Sequence, residues 1–409
     1  MRLGSAGPTG PALRLLFVIL IAWSSLVEGQ APFDSAQGRP TAVTVFEGAR
    51  LITGDGSPPI ENSTFIVENT RFTRIGRRGE APIPAGAVRV DLTGKTVMPA
   101  MVDLHGHIGF QDVPAGTMSK ESFTRANLID HLERLAYHGV SGVMGVGDLI
   151  SRSDLRGGRT NWGDVPLRVR DEIIPNAALF RTAGPGLAWP GSGAQGHPSR
   201  MDVSYPVATV EEARAAVQDY VLTKPAFVKI WVTPSLITAW MDTQGGSRPA
   251  WLDDPLLRAT YSPKHIEEHW GDPLKKMTAE EVARVRKGFE LDSRNAMMLR
   301  AAGVRIVNGT DTGQSRFWIG YFNHLNLESL VAMGLTPSQA IVAATRDSAA
   351  IAGFNTGLVA SGRNGDFIVL DANPLDRISN SRRINRVYLR GQEVPRAAMA
   401  ARWTGSRRP

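Results

Sequence analysis

The sequence predicts an α/β protein in which a TIM-like βα barrel lies next to a small β-rich domain. Two observations carry this prediction. Short β-rich segments separated by turns fill the region from Thr41 to about residue 97, and a similar pattern returns near the end of the chain. Between these regions, apolar strand-like runs alternate with amphipathic helices, which is typical of a βα barrel. The 409 residues are enough for one large domain and one smaller domain.

The N-terminus has the pattern of a secretory signal peptide, predicted over residues 1–29. Arg2 and Arg14 precede an apolar run, residues 15–23, that is short for a membrane span but suits a signal peptide. We expect a periplasmic or secreted protein with no stable membrane association after cleavage. An anchor formed by an uncleaved N-terminal segment is the alternative. Residues 30–40 are predicted to be a disordered linker.

Composition excludes some classes of protein. Hydrophobic residues make up 42% of the chain and charged residues 21%, as in ordinary globular proteins. The formal net charge of +7 comes mostly from scattered arginines, and no basic stripe alternates with aromatic residues, so we expect no nucleic-acid partner. The chain has no cysteine and therefore offers no disulfide, thiol nucleophile or thiolate metal site.

The predicted elements follow in order along the chain. Strand patterns of the β-rich regions cover residues 43–46, 49–52, 64–67, 72–75, 88–91, 365–370 and 384–389. Strands of the barrel are predicted at residues 98–108, 140–146, 177–181, 226–232 and 304–307. Helices are predicted over residues 120–137, from 210, from 278 towards 303, and from 336 to 353, the last three with capping residues at their starts.

The first predicted barrel strand ends in His105 and His107, which are separated by one residue. Because side chains alternate between the faces of a strand, both imidazoles are expected on one face. This geometry suits two ligands of one metal ion. The alternative is a pair of surface histidines in a glycine-containing turn.

Lys229 and Asp311 are further candidates. Lys229 lies within the apolar run 226–232, where a buried lysine is costly unless it is neutral or paired. It either extends its amine to solvent at a strand end or has a function. Asp311 follows the last predicted strand, where a barrel places its functional groups. An Asx-turn is the alternative for Asp311.

Four other histidines are candidates for a functional role. His324 is either a solvent-facing residue at the start of a helix or a residue at the rim of the barrel that contacts substrate. His197 lies in a glycine-rich loop after the third barrel strand, within reach of the barrel mouth. His265 and His269 fit the H-x-x-E-H pattern of some zinc proteases. The polar, proline-interrupted segment around these two favours a solvated helix instead.

Residues 99–107, Pro-Ala-Met-Val-Asp-Leu-His-Gly-His, resemble the first-strand signature of the amidohydrolase superfamily. The chain around them resembles the imidazolonepropionase-like and Xaa-Pro-dipeptidase-like branch. Three more segments match in order, residues 227–231, 308–313 and 334–341. The resemblance implies that the terminal β-rich pieces form one composite β-sandwich. The expected domains are then a β-sandwich of residues 41–97 plus 355–395, a barrel of residues 98–354, and a disordered tail of residues 396–409.

The resemblance also implies a function. Family members of this type are metal-dependent hydrolases of small C–N compounds such as dipeptides, N-acyl amino acids or cyclic amides. The metal ligands would be His105, His107, Lys229 and Asp311, with Lys229 carboxylated and zinc as the expected ion. Asp311 would take a proton from the attacking water and pass it to the leaving nitrogen. Independently of the resemblance, their positions make His324 and His197 the candidates for substrate contacts, and a homo-oligomer is compatible with the sequence.

The sequence departs from the family pattern between Lys229 and Asp311. The family has two more ligand histidines there, one after each of strands five and six, whereas His265 and His269 follow no strand-like run. The interval is also shorter than four βα units require. Two barrel strands are therefore expected to be missing, and one metal ion is favoured over two. An internal deletion, a reduced mononuclear enzyme and a catalytically inactive binding protein of the same fold are the three explanations.

Overall fold

The structure is a computed structural model, and it describes residues 43–80, 82–119, 121–146, 165–170, 172–184, 186–190, 204–222, 236–313 and 317–405. The predicted signal peptide, the predicted linker, Lys229 and His197 lie outside these residues. No helix among the described residues combines the length and the apolar character that a membrane crossing needs.

Among the described residues, strands and helices alternate between residues 101 and 222, and helices follow one another from residue 236 to residue 352. The strands are β1 (Val43–Glu47), β2 (Arg50–Leu51), β3 (Ser63–Glu68), β4 (Arg71–Arg77), β5 (Val88–Asp91), β6 (Thr96–Pro99), β7 (Met101–Gly106), β8 (Gln111–Asp112), β9 (Thr117–Met118), β10 (Val140–Gly145), β11 (Leu179–Thr182), β12 (Gly186–Ala188), β13 (Ser204–Pro206), β14 (Phe367–Leu370), β15 (Ile384–Leu389) and β16 (Gln392–Glu393). The α-helices are α1 (Arg125–Tyr137), α2 (Val165–Val169), α3 (Val210–Leu222), α4 (Leu236–Asp242), α5 (Pro255–Arg258), α6 (Pro263–Ile266), α7 (Asp272–Lys275), α8 (Ala279–Ala301), α9 (Tyr321–Met333), α10 (Pro337–Val342), α11 (Ser348–Ala352) and α12 (Arg396–Gly405).

Two sheets form the β-domain and enclose an aromatic core. One sheet has the order β4-β3-β1-β5 and the other β16-β15-β14-β6-β2. The second sheet joins both ends of the chain, because β14 pairs antiparallel with β6. Phe46 and Phe65 of the first sheet contact Phe367 of the second, with ring centroids 5.0 and 5.2 Å apart. Rings that meet edge to face in this way stabilise the domain through burial and through their quadrupoles.

A separate three-stranded sheet, in the order β11-β10-β7, is parallel. β10 pairs in parallel with both β7 and β11, and α1 connects β7 to β10. The segment 308–312 runs beside the other edge of β7, where the Leu104 N–H donates to the Asn308 carbonyl at 3.0 Å and Gly106 bridges to Thr312 in parallel. The last segment of the expected barrel therefore lies next to the first strand. In the described ranges these strands do not close into a complete barrel.

The predicted strand at residues 304–307 is wrong. Val304 follows the end of α8, is 49% exposed, and has no strand pairing. Backbone hydrogen bonding to β7 is found from Asn308 onward, where the Leu104 N–H donates to the Asn308 carbonyl. The apolar alternation of residues 304–307 therefore does not correspond to a strand.

The predicted disordered tail is also wrong. Residues 396–405 form α12, which buries Met399 and Trp403. These two residues are four positions apart and so lie on one helical face. The Trp403 indole N–H donates to the Asp130 carboxylate of α1 at 2.7 Å, which anchors α12 to the body of the protein.

The interval that the sequence singled out as short is helical where it is described. Residues 236–303 form α4 to α8 with short 3₁₀ and π turns, and within residues 236–307 there is no strand. The capping box predicted at Thr278 and Glu281 begins α8 as expected. The loss of two barrel strands stays a prediction, because residues 223–235 lie outside the described part of the chain.

Candidate metal centre

Three side chains converge at the carboxyl end of β7. The Nε2 atoms of His105 and His107 lie 3.3 Å apart. The Asp311 Oδ1 atom lies 3.3 Å from the His105 Nε2 and 2.9 Å from the His107 Nε2. The prediction that the two histidines share one face is confirmed by this geometry. Among the described residues, this is the one group of histidines and carboxylates close enough together to hold a metal ion.

The donor set fits a divalent metal ion. Ligand atoms at 2.0–2.1 Å from a tetrahedral ion lie about 3.4 Å from one another, close to the separations of these three donors. Two imidazole nitrogens and one carboxylate oxygen leave a fourth position of such an ion open. The His107 side chain is fully buried, whereas those of His105 and Asp311 are 35% and 22% exposed. The group is therefore open on one side, and the interpretation of both histidines as surface residues is excluded.

The charge of Asp311 suits a ligand or a proton acceptor. Burial raises the pKa of this carboxyl, but the neighbouring His105 and His107 side chains lower it by more, so that the net pKa lies well below the usual range. Interaction with donors that favour the charged form has this effect. Asp311 is therefore ionised at neutral pH.

The backbone around Asp311 is held in an uncommon conformation. Asp311 has φ +59°, in the left-handed region, which costs an L-residue about 1–2 kcal/mol. Gly313 has φ +90°, and a Cβ atom there would lie 2.5 Å from the His107 carbonyl oxygen. The His107 N–H donates to the Thr312 carbonyl at 2.7 Å. The turn is thus fitted closely against the histidine strand, and only glycine fits at position 313.

A buried carboxylate, Asp103, connects the two segments that carry the three converging side chains. Its Oδ1 accepts the N–H groups of His105 and Thr310 at 3.0 and 3.1 Å. Its Oδ2 accepts the Thr310 hydroxyl at 2.5 Å and the Asn323 amide at 3.2 Å. Burial raises the pKa of Asp103, and the hydrogen bonds from Thr310 and His105 oppose that rise. Sequence reasoning missed this residue, although a charge inside the apolar run 98–104 was a visible signal.

His324 does not lie at a rim or face solvent. The side chain is fully buried in α9, where Nδ1 lies 3.1 Å from the Ser381 hydroxyl and Nε2 lies 2.9 Å from the His138 carbonyl oxygen. Burial lowers the pKa of His324 to about 3. Both expectations for its position are therefore wrong, because α9 is buried on nearly all sides and its histidine is a neutral core residue.

The two histidines of the H-x-x-E-H pattern form no metal site with described residues. The rings of His265 and His269 stack with centroids 4.0 Å apart, and His269 Nδ1 lies 2.9 Å from the His265 carbonyl oxygen. His265 is only 5% exposed, so the expected solvated helix is buried at this residue. Neither histidine is part of the metal-compatible group found among the described residues. The roles expected for Lys229 and His197 remain predictions, because both residues lie outside the described ranges.

Comparison with known sequences agrees with the sequence motifs. Residues 280–394 match the Amidohydrolase family. A curated relative, the 5-methylthioadenosine/S-adenosylhomocysteine deaminase of Symbiobacterium thermophilum, is 39% identical over 64 residues. That alignment spans only 15% of each chain. The activity of the curated relative therefore does not carry over to this chain.

Comparison with solved structures extends over most of the chain. A protein of Bifidobacterium longum described as a candidate prolidase is 22% identical, with a TM-score of 0.60 over 89% of this chain and 100% of that one. A Xaa-Pro dipeptidase with bound methionine is 19% identical, with a TM-score of 0.61 over 86% and 99%. The A. niger ochratoxinase is 18% identical, with a TM-score of 0.59 over 87% and 96%. The sequence match supports the resemblance to the amidohydrolase superfamily over residues 280–394, and the solved structures show that the chain shares their fold.

Proposed function

We propose that this amidohydrolase-like chain is a metal-dependent hydrolase that cleaves a C–N bond of a small substrate. The observation that carries the proposal is the convergence of the His105, His107 and Asp311 donor atoms within about hydrogen-bond distance of one another. Two imidazole nitrogens and one carboxylate oxygen, open on one side, are the kind of donor set that a catalytic metal site uses while it keeps a position for water or substrate.

Each residue has a distinct role in the proposed reaction. His105 and His107 hold the ion, and Asp311 lies against both of them. When bound, a divalent ion, for which we propose zinc, would supply a Lewis acid that polarises the scissile carbonyl and acidifies water. Asp311 takes a proton from the attacking water and delivers it to the leaving nitrogen, for which an ionised carboxylate is needed.

Two parts of the proposal extend beyond the three converging residues. Lys229 is proposed as a fourth, carboxylated ligand. One ion is favoured over two, because the described residues offer one group of histidines and carboxylates and no histidine between Lys229 and Asp311 follows a strand-like run of the sequence. Dipeptides are the first substrate class to test, since two of the similar solved structures carry a prolidase or dipeptidase name. N-acyl amino acids and cyclic amides follow.

Metal content and hydrolysis test the proposal together. We expect about one ion per purified chain by plasma mass spectrometry, and loss of that ion in a His105→Ala/His107→Ala variant. The matched control is His269→Ala, which removes a histidine outside the converging group. Hydrolysis of a dipeptide panel should follow the metal content. A chain that binds the ion but cleaves none of the three substrate classes would support the alternative, a catalytically inactive binding protein with this fold.

We further propose that the chain is exported and its N-terminal 29 residues removed. The charged and apolar pattern of residues 1–23 supports this proposal. N-terminal sequencing of the protein from an exporting host tests it. An intact Met1 on membrane-bound material would support the anchor instead.

A further inference from the structure

The carboxylate of Asp103 is enclosed by hydrogen-bond donors from two distant parts of the chain. It is fully buried and accepts four hydrogen bonds. Two donors are backbone N–H groups, of His105 and Thr310, and a third is the Asn323 amide. The fourth, the Thr310 hydroxyl, also accepts the Thr312 N–H at 3.2 Å, so its proton points to Asp103. All four groups donate, and the carboxylate needs no proton of its own.

The Thr310 hydroxyl connects this carboxylate to the turn that carries Asp311. Thr310 and Thr312 flank Asp311, and the hydroxyl of the first accepts the N–H of the second across it. Asp311 itself has a left-handed backbone conformation that persists only where its surroundings enforce it. The bond from Thr310 to Asp103 fixes this short turn to the strand that ends in His105 and His107.

The Asn323 amide completes the connection from a third element, α9. Its orientation is determined because its oxygen accepts the Asn308 amide at 2.6 Å while its nitrogen donates to Asp103. Asn308 in turn accepts the Asn326 amide at 2.7 Å and donates to the Val102 carbonyl at 2.9 Å. These buried side chains are satisfied by one another, as a rigid polar network requires.

We propose that Asp103 and Thr310 are positioning residues that set the distance between Asp311 and the two histidines, and so set the affinity of the centre for its metal ion. The inference rests on the proposed function only in requiring that these residues bind a metal. Hydrogen-bond partners behind metal ligands commonly change metal affinity by about 10- to 100-fold. Asp103 acts here through the backbone of His105 and through Thr310.

Co²⁺ binding to the full chain tests the role of Thr310. Thr310→Val removes the hydroxyl without changing the shape of the side chain. We expect this variant to bind Co²⁺ at least about 10-fold more weakly than the wild type and to have an altered visible absorption spectrum. Thr310→Ser retains the hydroxyl and should stay within about 3-fold of the wild type. Thr345→Val is the matched control, because it removes another fully buried hydroxyl, one that donates to the Ile341 carbonyl within a helix.

Asp103→Asn tests the other end of the bond. The amide nitrogen of this variant would face hydrogen-bond donors, so we expect a loss of Co²⁺ affinity similar to that of Thr310→Val. Because both substitutions break the same bond, the Co²⁺ affinity of the double variant should lie within about 3-fold of that of the weaker-binding single variant. Asp366→Asn alters another fully buried aspartate and controls for stability. If Asp103→Asn does not fold, the two Thr310 variants decide the question.

The outcomes separate the two proposals. Unchanged Co²⁺ affinity and spectrum in Thr310→Val, or an equal loss in Thr310→Ser, would overturn the positioning role. Wild-type chain that binds Co²⁺ but hydrolyses no substrate would contradict the proposed function alone and leave the affinity comparison valid. Wild-type chain that binds no Co²⁺ would overturn both.

Discussion

The carboxylate of Asp311 lies 2.9 Å from the Nε2 atom of the fully buried His107, although the two residues are about 200 positions apart in the sequence. This contact exists because the segment 308–312 runs alongside β7. It places an ionised acceptor beside two imidazoles, and the first two of the predictions below depend on it.

Asp311→Asn should lower kcat by about 100-fold or more, because general base catalysis contributes roughly 10²- to 10⁴-fold and an amide cannot accept the proton. The amide oxygen can still face the histidines, so metal content should fall less than activity. Steady-state kinetics on metal-loaded protein measure the effect. Asp292→Asn, an exposed position on α8, is the control. A variant with wild-type kcat would remove Asp311 from the chemistry.

Gly313→Ala should weaken metal binding and destabilise the fold. The new Cβ would lie 2.5 Å from the His107 carbonyl oxygen and would push the Asp311 turn away from the histidine strand. Gly303→Ala is the matched control, because its φ of +91° is nearly the same as the +90° of Gly313 and nothing lies within 4 Å of its Cβ position. We expect Gly313→Ala to bind metal more weakly than Gly303→Ala and to unfold at a lower urea concentration. Equal effects of the two would show that backbone conformation alone is responsible.

We expect acid to destabilise the folded protein, because the buried His131 resists the protonation that the unfolded chain allows. Burial lowers the pKa of this histidine to about 4, with Asp130 and Asp112 opposing that shift and Arg134 adding to it. Nδ1 accepts the Gly109 N–H at 2.8 Å and Nε2 faces the Gln111 carbonyl at 2.8 Å, so both nitrogens are engaged in the neutral ring.

The direction of the pH effect follows from the two pKa values. The unfolded histidine binds a proton near pH 6.5, whereas the folded one does so only near pH 4. Stability is therefore full above pH 6.5 and falls as the pH decreases towards 4, by roughly 3 kcal/mol for this one group. Urea unfolding between pH 7.5 and 4 measures the loss. His131→Gln should reduce the slope, and an unchanged slope would assign the acid sensitivity to other groups, such as the buried His138 and His324.

Trp403→Ala should lower the free energy of unfolding by about 3 kcal/mol or more. Trp403 is buried, donates a hydrogen bond to Asp130, and has its ring centroid 4.5 Å from the Cζ atom of Arg134. Arg402→Ala is the control on the same helix. Its side chain is 53% exposed, so its ion pair with Glu133 should contribute less than about 1 kcal/mol. Urea unfolding at pH 7.5 compares the two. A Trp403→Ala variant as stable as the wild type would show that the contacts of Trp403 do not stabilise the fold.

Local patterns in the sequence were sufficient to predict several elements and two of the three residues that converge at the site. The common face of His105 and His107 follows from strand alternation, and the capping boxes at Thr278 and Thr336 mark real helix starts. Such signals involve residues a few positions apart, whose geometry the backbone alone sets. The candidate role of Asp311 came from family resemblance rather than from such a local signal.

Only the tertiary structure decided how these pieces support one another. The bond between Asp103 and Thr310 spans 207 positions, and no local pattern encodes a contact of that range. The burial of His324 and the docking of Trp403 likewise depend on which surfaces cover α9 and α12, not on their own periodicity. The sequence by itself determined which residues are chemically suited to a metal centre. Long-range packing determined which of them are neutral core residues and which converge, because burial and distance belong to the whole fold.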